Sequence, residues 1–171
     1  MKQEASRSAS YTVECEEYVH VVEFSPFETG TAESLIAYGG NNYVVVGTCR
    51  FQEEDAEVEG MQYKTRRVFH HGIRIDAIVW SPESRLDALP PQIRFCTAGA
   101  DRKLRLFISD LQDKNDCKVF EGHSDYINDL VFSPKEGQEI ASAHSRPLST
   151  QCIHALLSVF GQTVEGHAVN S

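Results

Sequence analysis

The stretch YVHVVEFSP at positions 18–26 decides the fold, because it returns as RIDAIVWSP at 74–82 and as YINDLVFSP at 126–134. Each copy is an apolar-rich strand closed by aromatic-Ser-Pro. The closing residues Pro26, Pro82 and Pro134 stand 56 and 52 residues apart. Self-similarity at such a period is the signature of a repeat architecture, and a four-stranded propeller blade of the WD type runs about 40–45 residues. The longer period predicts blades with extended loops.

Working outward from each proline, a second apolar run ends in Gly or Ala: LIAYGG (35–40), IRFCTAG (93–99) and EIASA (139–143). In the first two repeats a third run follows, YVVVGTCRF (43–51) and KLRLFIS (103–109). Lys103, Leu104, Arg105 and Leu106 alternate with the period of a half-buried strand. Fourth strands are expected at 61–69 and 116–120. Proline falls only at strand ends, where a missing N–H costs little. GGNN at 39–42 reads as a turn, since Gly and Asn accept positive φ. QEEDAEVEG (52–60), with five acids, and SPESRLDALPPQ (81–92) read as surface loops.

The expected fold class is therefore all-β, a WD40-type β-propeller fragment of about two and a half four-stranded blades. Residues 1–14 form an N-terminal segment. Residues 15–143 hold the blades: 15–70 blade one, 71–120 blade two, 121–143 half of blade three. After Ala143 the pattern stops. HSRPLSTQCIHALLSVFGQTVEGHAVNS offers no turn aspartate, and Pro147 with its polar neighbours argues against a third strand. Residues 144–171 are expected to be an irregular, non-propeller tail, its apolar run 153–160 forming a short helix or covering an open edge.

The chain has 171 residues, 41% of them apolar, which suffices for a folded core. Sixteen basic residues against 25 acids leave a net charge of −9. Such a balance argues against direct nucleic-acid binding, which needs a basic face to displace counterions, and against docking on anionic membranes. The longest near-apolar run is far short of the roughly 20 residues of a membrane span, so no membrane insertion is expected. The first ten residues contain no apolar core of a secretory signal. Five cysteines at wide spacing, with no CxxC pair, read as reduced thiols of a cytosolic or nuclear protein.

EGHSD at 121–125 carries the Gly-His of a WD repeat, with Phe132 nine residues after His123. Nine residues before Trp80 stands His71; nine before Phe24 stands Cys15, so the first repeat lacks the histidine. Asp101 sits in the turn between the second and third strands of repeat two, and Phe107 takes the usual tryptophan place. In such blades a His–Asp hydrogen bond, helped by a strand Ser or Thr, locks the outer loop to the inner turn and satisfies polar groups that burial would leave unpaired. The structural blade-locking set is therefore His71, Thr97, Asp101, Phe107 and His123. A catalytic dyad of His71 and Asp101 is the weaker reading of the same spacing. Adjacent His70 and His71 point to opposite faces of a strand. Cys152 and His154 lie two apart in the tail, and no pair has zinc-finger spacing, so no metal is expected. No phosphate loop, nucleophile elbow or cofactor motif is present, and no cofactor is expected. Lys64, Arg66 and Arg67 read as a solvated strand face.

YTVECEEYVHVVEFSPFE, LIAYGGNNYVVVGTCRFQEE, VEGMQYKT, SDLQDK and KVFEGHSDYINDLVFSPKEGQEIAS together resemble the family of the small WD-repeat nucleoporin of the Y-shaped nuclear pore scaffold complex. The resemblance covers residues 1 to about 143. It implies a seven-bladed propeller in the pore's outer rings that supports pore assembly and nucleocytoplasmic transport. It implies protein partners, chiefly the large propeller-solenoid nucleoporin on a short arm of the Y, and a place at the nuclear envelope and at mitotic kinetochores. The family continues beyond blade three, so this chain is expected to be a truncated or alternatively spliced form. On this reading the protein is a scaffold and not an enzyme; the runner-up is a WD-repeat adaptor of another complex, such as a substrate receptor of a ubiquitin ligase.

Overall fold

The computed structural model describes residues 9–121, 123–134, 139–145, 151–159 and 162–169, the last two segments and Ser145 by backbone alone. The described residues form twelve strands and no helix: β1 Val21–Phe24, β2 Ser34–Gly39, β3 Tyr43–Phe51, β4 Met61–His70, β5 Ile75–Trp80, β6 Ile93–Gly99, β7 Leu104–Ser109, β8 Asn115–Phe120, β9 Ile127–Phe132, β10 Glu139–Ser145, β11 Gln151–Val159 and β12 Gln162–Val169. They pair in chain order as three four-stranded antiparallel sheets, β1–β4, β5–β8 and β9–β12. Each hairpin partner is the next strand in sequence, the simplest meander a chain can make.

The strands expected in repeats one and two are all present, within a few residues of their expected limits. The tail is a correction. Instead of an irregular segment, β11 pairs with β10, with Ala141 opposite Ala155 and Ala143 opposite Ile153, and β12 pairs with β11. The third repeat is thus a complete four-stranded sheet, and the chain holds three sheets rather than two and a half. Most of the apolar run at 153–160, expected to form a helix or to cover the open edge, does the second: it lies in β11, which pairs along β10. A strand that places apolar residues on both faces reads as a continuous apolar run, and periodicity alone cannot separate it from a buried helix. Pro147 lies in the 146–150 stretch between β10 and β11, outside the described residues.

The sheets stack through opposite faces. Period-2 alternation puts Leu35, Ala37, Val44, Val46 and Phe69 of the first sheet against Ile78, Trp80, Ile93, Phe95 and Phe107 of the second. The other face of the second sheet carries Cys96, Ala98, Leu104 and Leu106, which pack on Ile127, Leu130, Phe132 and Ile140 of the third. β6 and β7 therefore have their inward positions buried on both sides. First strands meet across each junction, β1 beside β5 and β5 beside β9. Backbone bonds stitch the first junction: His71 and Gly72 donate N–H to the Asn42 carbonyl, at 2.6 and 3.0 Å, and Ile75 donates to Gly40 at 3.0 Å. The Trp80 indole N–H reaches across to the Glu23 carbonyl at 3.1 Å.

Phe95 lies at the centre, stacked on Phe107 at 5.0 Å and within 5.4 Å of both Phe69 and Trp80. Phe95→Ala removes three ring contacts at a junction that cannot close around the void. The expected loss is roughly 3–5 kcal/mol, read as a lowered urea midpoint. A loss below about 1 kcal/mol would show that the two sheets do not share this core.

Candidate functional site

The polar groups set among these apolar faces gather where each sheet receives the chain from the one before. His71 follows β4 and is buried. One ring nitrogen, Nδ1, stands 2.8 Å from the Ile73 carbonyl, and Nε2 stands 2.9 Å from the Thr97 hydroxyl on β6. A carbonyl oxygen can only accept, so Nδ1 carries the proton and Nε2 accepts from Thr97 O–H. The ring is held neutral: burial pushes its pKa from the ordinary 6.5 down to about 4, and the Arg105 cation adds to the depression. Phe107 stacks on the imidazole, with ring centroids 6.2 Å apart. His71 thereby fixes the connection that the Asn42 carbonyl holds from the first sheet onto the second strand of the next.

Asp101 departs from the expected His–Asp bond. Its carboxylate faces Arg105 on β7, accepting from the two terminal guanidinium nitrogens at 3.0 and 2.6 Å. These bonds lead the causes that hold the Asp101 carboxyl below the usual carboxylate range. The turn that carries Asp101 is tight: Arg102 donates N–H to the Gly99 carbonyl at 3.0 Å and itself has φ 65°. A bidentate guanidinium on the next strand is a stronger partner than a neutral imidazole, so Asp101 goes to Arg105, and His71 keeps the Ile73 carbonyl and the Thr97 hydroxyl. Arg105 was not singled out by sequence, because a charged residue on an alternating strand reads as solvent-facing.

The third sheet repeats the device with different residues. His123 Nε2 lies 2.7 Å from the Ser142 hydroxyl on β10, the counterpart of Thr97. Its Nδ1 lies 3.0 Å from Nδ1 of His144, and His144 Nε2 lies 3.2 Å from the Ser124 hydroxyl. Ser142 and His144 were missed, although the pairs Thr97-Ala98 and Ser142-Ala143 at matching places in β6 and β10 were a signal. In the first sheet Cys15 and Tyr38 stand in the corresponding places, and burial raises the Tyr38 phenol, followed by the influence of Tyr63 and Cys15.

Other candidates resolve into local pairs. Arg66 bonds Glu33 and donates to the Thr48 hydroxyl at 3.0 Å; Arg67 donates to the Gln112 carbonyl of the second sheet at 2.8 Å. The acidic loop 52–60 is anchored by Asp55 on Arg50 and by buried Val58. Among the described residues no group of three or more His, Cys, Asp or Glu is placed to hold a metal ion, and none forms a helix long and apolar enough to cross a membrane. The side chains of Cys152 and His154 lie outside the description.

Four-stranded antiparallel sheets that stack through opposite faces, with buried His71 held between the first two and His123 bonded to β10 in the third, define a WD-repeat β-propeller fragment. Solved structures agree on the fold: chains in two polycomb repressive complex 2 structures, one in the basal state and one autoinhibited, match with TM-scores of 0.60 and 0.59, at 20% and 19% identity, over 89% and 83% of this chain and 31% and 28% of theirs. By sequence the chain is similar to nucleoporin Nup37, 73% identical to the Homo sapiens protein and 70% to the Mus musculus protein over 142 residues, which is 83% of this chain and 44% of each relative. Protein transport protein SEC13 of Cryptococcus neoformans is 31% identical over 75% of this chain and 43% of its own length. No protein-family profile matches. The chain spans less than half the length of these curated relatives. Up to about residue 142 it is Nup37-like, and the resemblance read from the residue runs stands.

Two measurements test the junction. His71→Ala and Thr97→Val should each cost roughly 1–3 kcal/mol, with a coupling energy of at least about 0.5 kcal/mol in the double variant; His71→Ala with Asp101→Ala should couple less. Additivity between His71 and Thr97 would deny the bond. The depressed folded pKa also fixes a pH dependence. The unfolded histidine takes a proton near pH 6.5 and the folded one only near pH 4, so stability declines as pH falls through that window. His71→Gln should flatten this part of the decline in urea melts; an unchanged slope would refute the assignment.

Proposed function

We propose that this chain is a structural scaffold component of the nuclear pore's outer-ring Y-shaped complex, supporting pore assembly and nucleocytoplasmic transport. The observation that carries the reading is the 73% identity to human Nup37, which runs over 83% of the chain. Fold alone would not give function. The site supports a structural role. The two groups that acid–base chemistry would enlist are committed, His71 Nε2 to Thr97 and the Asp101 carboxylate to Arg105. His71 sits in the junction between the first two sheets, where its work is to hold one blade against the next, and Asp101 braces the turn beside it.

In this proposal each four-stranded sheet is a blade, and His71, Thr97, Phe107 and His123 lock the blades, with Asp101 bracing its turn through Arg105. The partners are proteins, chiefly the large propeller-solenoid nucleoporin of the Y-shaped complex, and the chain follows that complex to the nuclear envelope and to mitotic kinetochores. Three blades offer only part of the surface that a whole ring presents.

The test is to express the tagged chain beside full-length human Nup37 in cells, then compare nuclear-rim signal, kinetochore signal and co-purified proteins. The chain should recover Y-complex subunits at lower yield than the full-length protein. Recovery of a different assembly, or of no Y-complex subunit, would refute the proposal.

A further inference from the structure

The loop between β5 and β6 holds an apolar tip in water. It contains the uncharged run Ala88-Leu89-Pro90-Pro91, and Leu89 is 98% exposed. Consecutive apolar residues at a surface tip are a fault in a folded chain unless they serve a function. A loose loop could fold such residues back, but this one is pinned below its tip. Arg85 and Gln92 exchange backbone N–H···O bonds at 2.6 and 2.9 Å. Leu86 and Asp87 both donate N–H to the Thr29 carbonyl of the β1–β2 loop, and Leu86 packs on the core between the first two sheets. Arg85 donates to Asp87 through two nitrogens, at 2.9 and 2.6 Å. The Asp87 carboxylate lies over Gly30, where an added Cβ would meet it at 2.2 Å. The second sheet has a neighbour packed on each face, and neither covers Leu89.

Four loops leave this end of the first two sheets: 25–33, 52–60, 81–92 and 110–114. Together they carry 11 acids and 2 bases, which leaves 14 acids against 14 bases in the rest of the chain. The net charge of −9 is thus the charge of these four loops. Glu33, Asp55, Glu83 and Asp87 have arginine partners; the other seven acids form no ion pair among the described residues.

We propose that this end of the molecule is a protein-docking surface, in which Leu89 and Pro90 enter an apolar socket on a partner whose rim carries lysine and arginine. The inference rests on the scaffold reading above and names the surface through which that scaffold meets its neighbour. A desolvated apolar anchor supplies binding energy at the centre of such a contact, and charge of opposite sign around it steers and orients the partner. Because the tip is already pinned, little freedom is lost when it docks. The acidic surround repels nucleic acid and anionic lipid. A second copy of the chain is a poor occupant, since outside these loops its charges balance and offer no basic counterpart.

The test is recovery of Y-complex subunits with the tagged 171-residue chain expressed in cells. Leu89→Ser should lower recovery roughly 10-fold or more, and Leu89→Met should keep it. Glu54→Lys/Glu57→Lys/Glu59→Lys should lower it as well, and recovery by the unaltered chain should fall as salt is raised. Val119→Ser removes apolar surface on β8, where the side chain is 51% exposed, and should change nothing. All these positions lie at the surface, so the purified variants should keep the circular dichroism spectrum of the unaltered chain. Equal recovery by Leu89→Ser and the unaltered chain would overturn the docking tip and leave the scaffold reading standing. An unaltered chain that recovers no Y-complex subunit would overturn the scaffold reading and this inference with it. A loss with Val119→Ser as large as with Leu89→Ser, or recovery through Leu89 of further copies of the chain in place of those subunits, would overturn the docking tip alone.

Discussion

Phe95 and Phe107 stack at 5.0 Å on the one face of the middle sheet that the first sheet covers, and the arrangement of the molecule follows from the need to keep that face dry. Two adjacent strands of the second sheet carry apolar side chains toward both neighbours. A sheet of that composition cannot stand alone in water; it requires a cover on each side, and the first and third sheets supply them. Meander topology then serves the packing, because each sheet is finished before the next begins and the whole can be built by stacking. Nearest-neighbour contact is the source of stability in such arrays.

Apolar stacking is not directional, and sheets on flat faces could slide. The polar junctions remove that freedom. His71 receives its backbone position from the first sheet's turn at Asn42 and gives its ring to Thr97 of the second sheet, with Phe107 against its face. A neutral imidazole suits this place because it donates at one nitrogen and accepts at the other without bringing a charge into a buried junction. The same logic explains why Asp101 remains outside the lock. A carboxylate so near needs a cation, and Arg105 provides it from the adjacent strand at the partly exposed turn.

Much of this was legible in the sequence. Aromatic-Ser-Pro marked the end of each first strand, period-2 alternation marked β7, and the count of nine residues back from Trp80 and Phe132 found His71 and His123. What failed did so for physical reasons. The His71–Asp101 pairing depends on what stands beside Asp101 in space, and Arg105 four residues on looked like one more outward charge. A strand that ends at Ala143, as the sequence pattern suggests, leaves His144 out of reach as a partner of His123. The tail failed because a turn aspartate was treated as necessary for a third strand, although the register of β10 and β11 asks only for apolar residues at alternate places. Ile153 and Ala155 supply them at the positions of Leu104 and Leu106.

That last substitution separates two kinds of information in the chain. Similarity to Nup37 ends around residue 142, within β10, yet the third sheet goes on to four strands. A sheet edge such as β10 presents unpaired N–H and C=O groups to whatever segment follows, and any segment of suitable alternation can pair with it. Backbone bonds are indifferent to family. A partner's surface is not, because recognition depends on a few particular side chains in fixed places. Sequence shared with the relatives therefore carries the proposed pore function, and it lies in β1 to β10. β11 and β12 contribute a cover for the third sheet's edge, a property of sheet geometry that no nucleoporin ancestry is needed to explain.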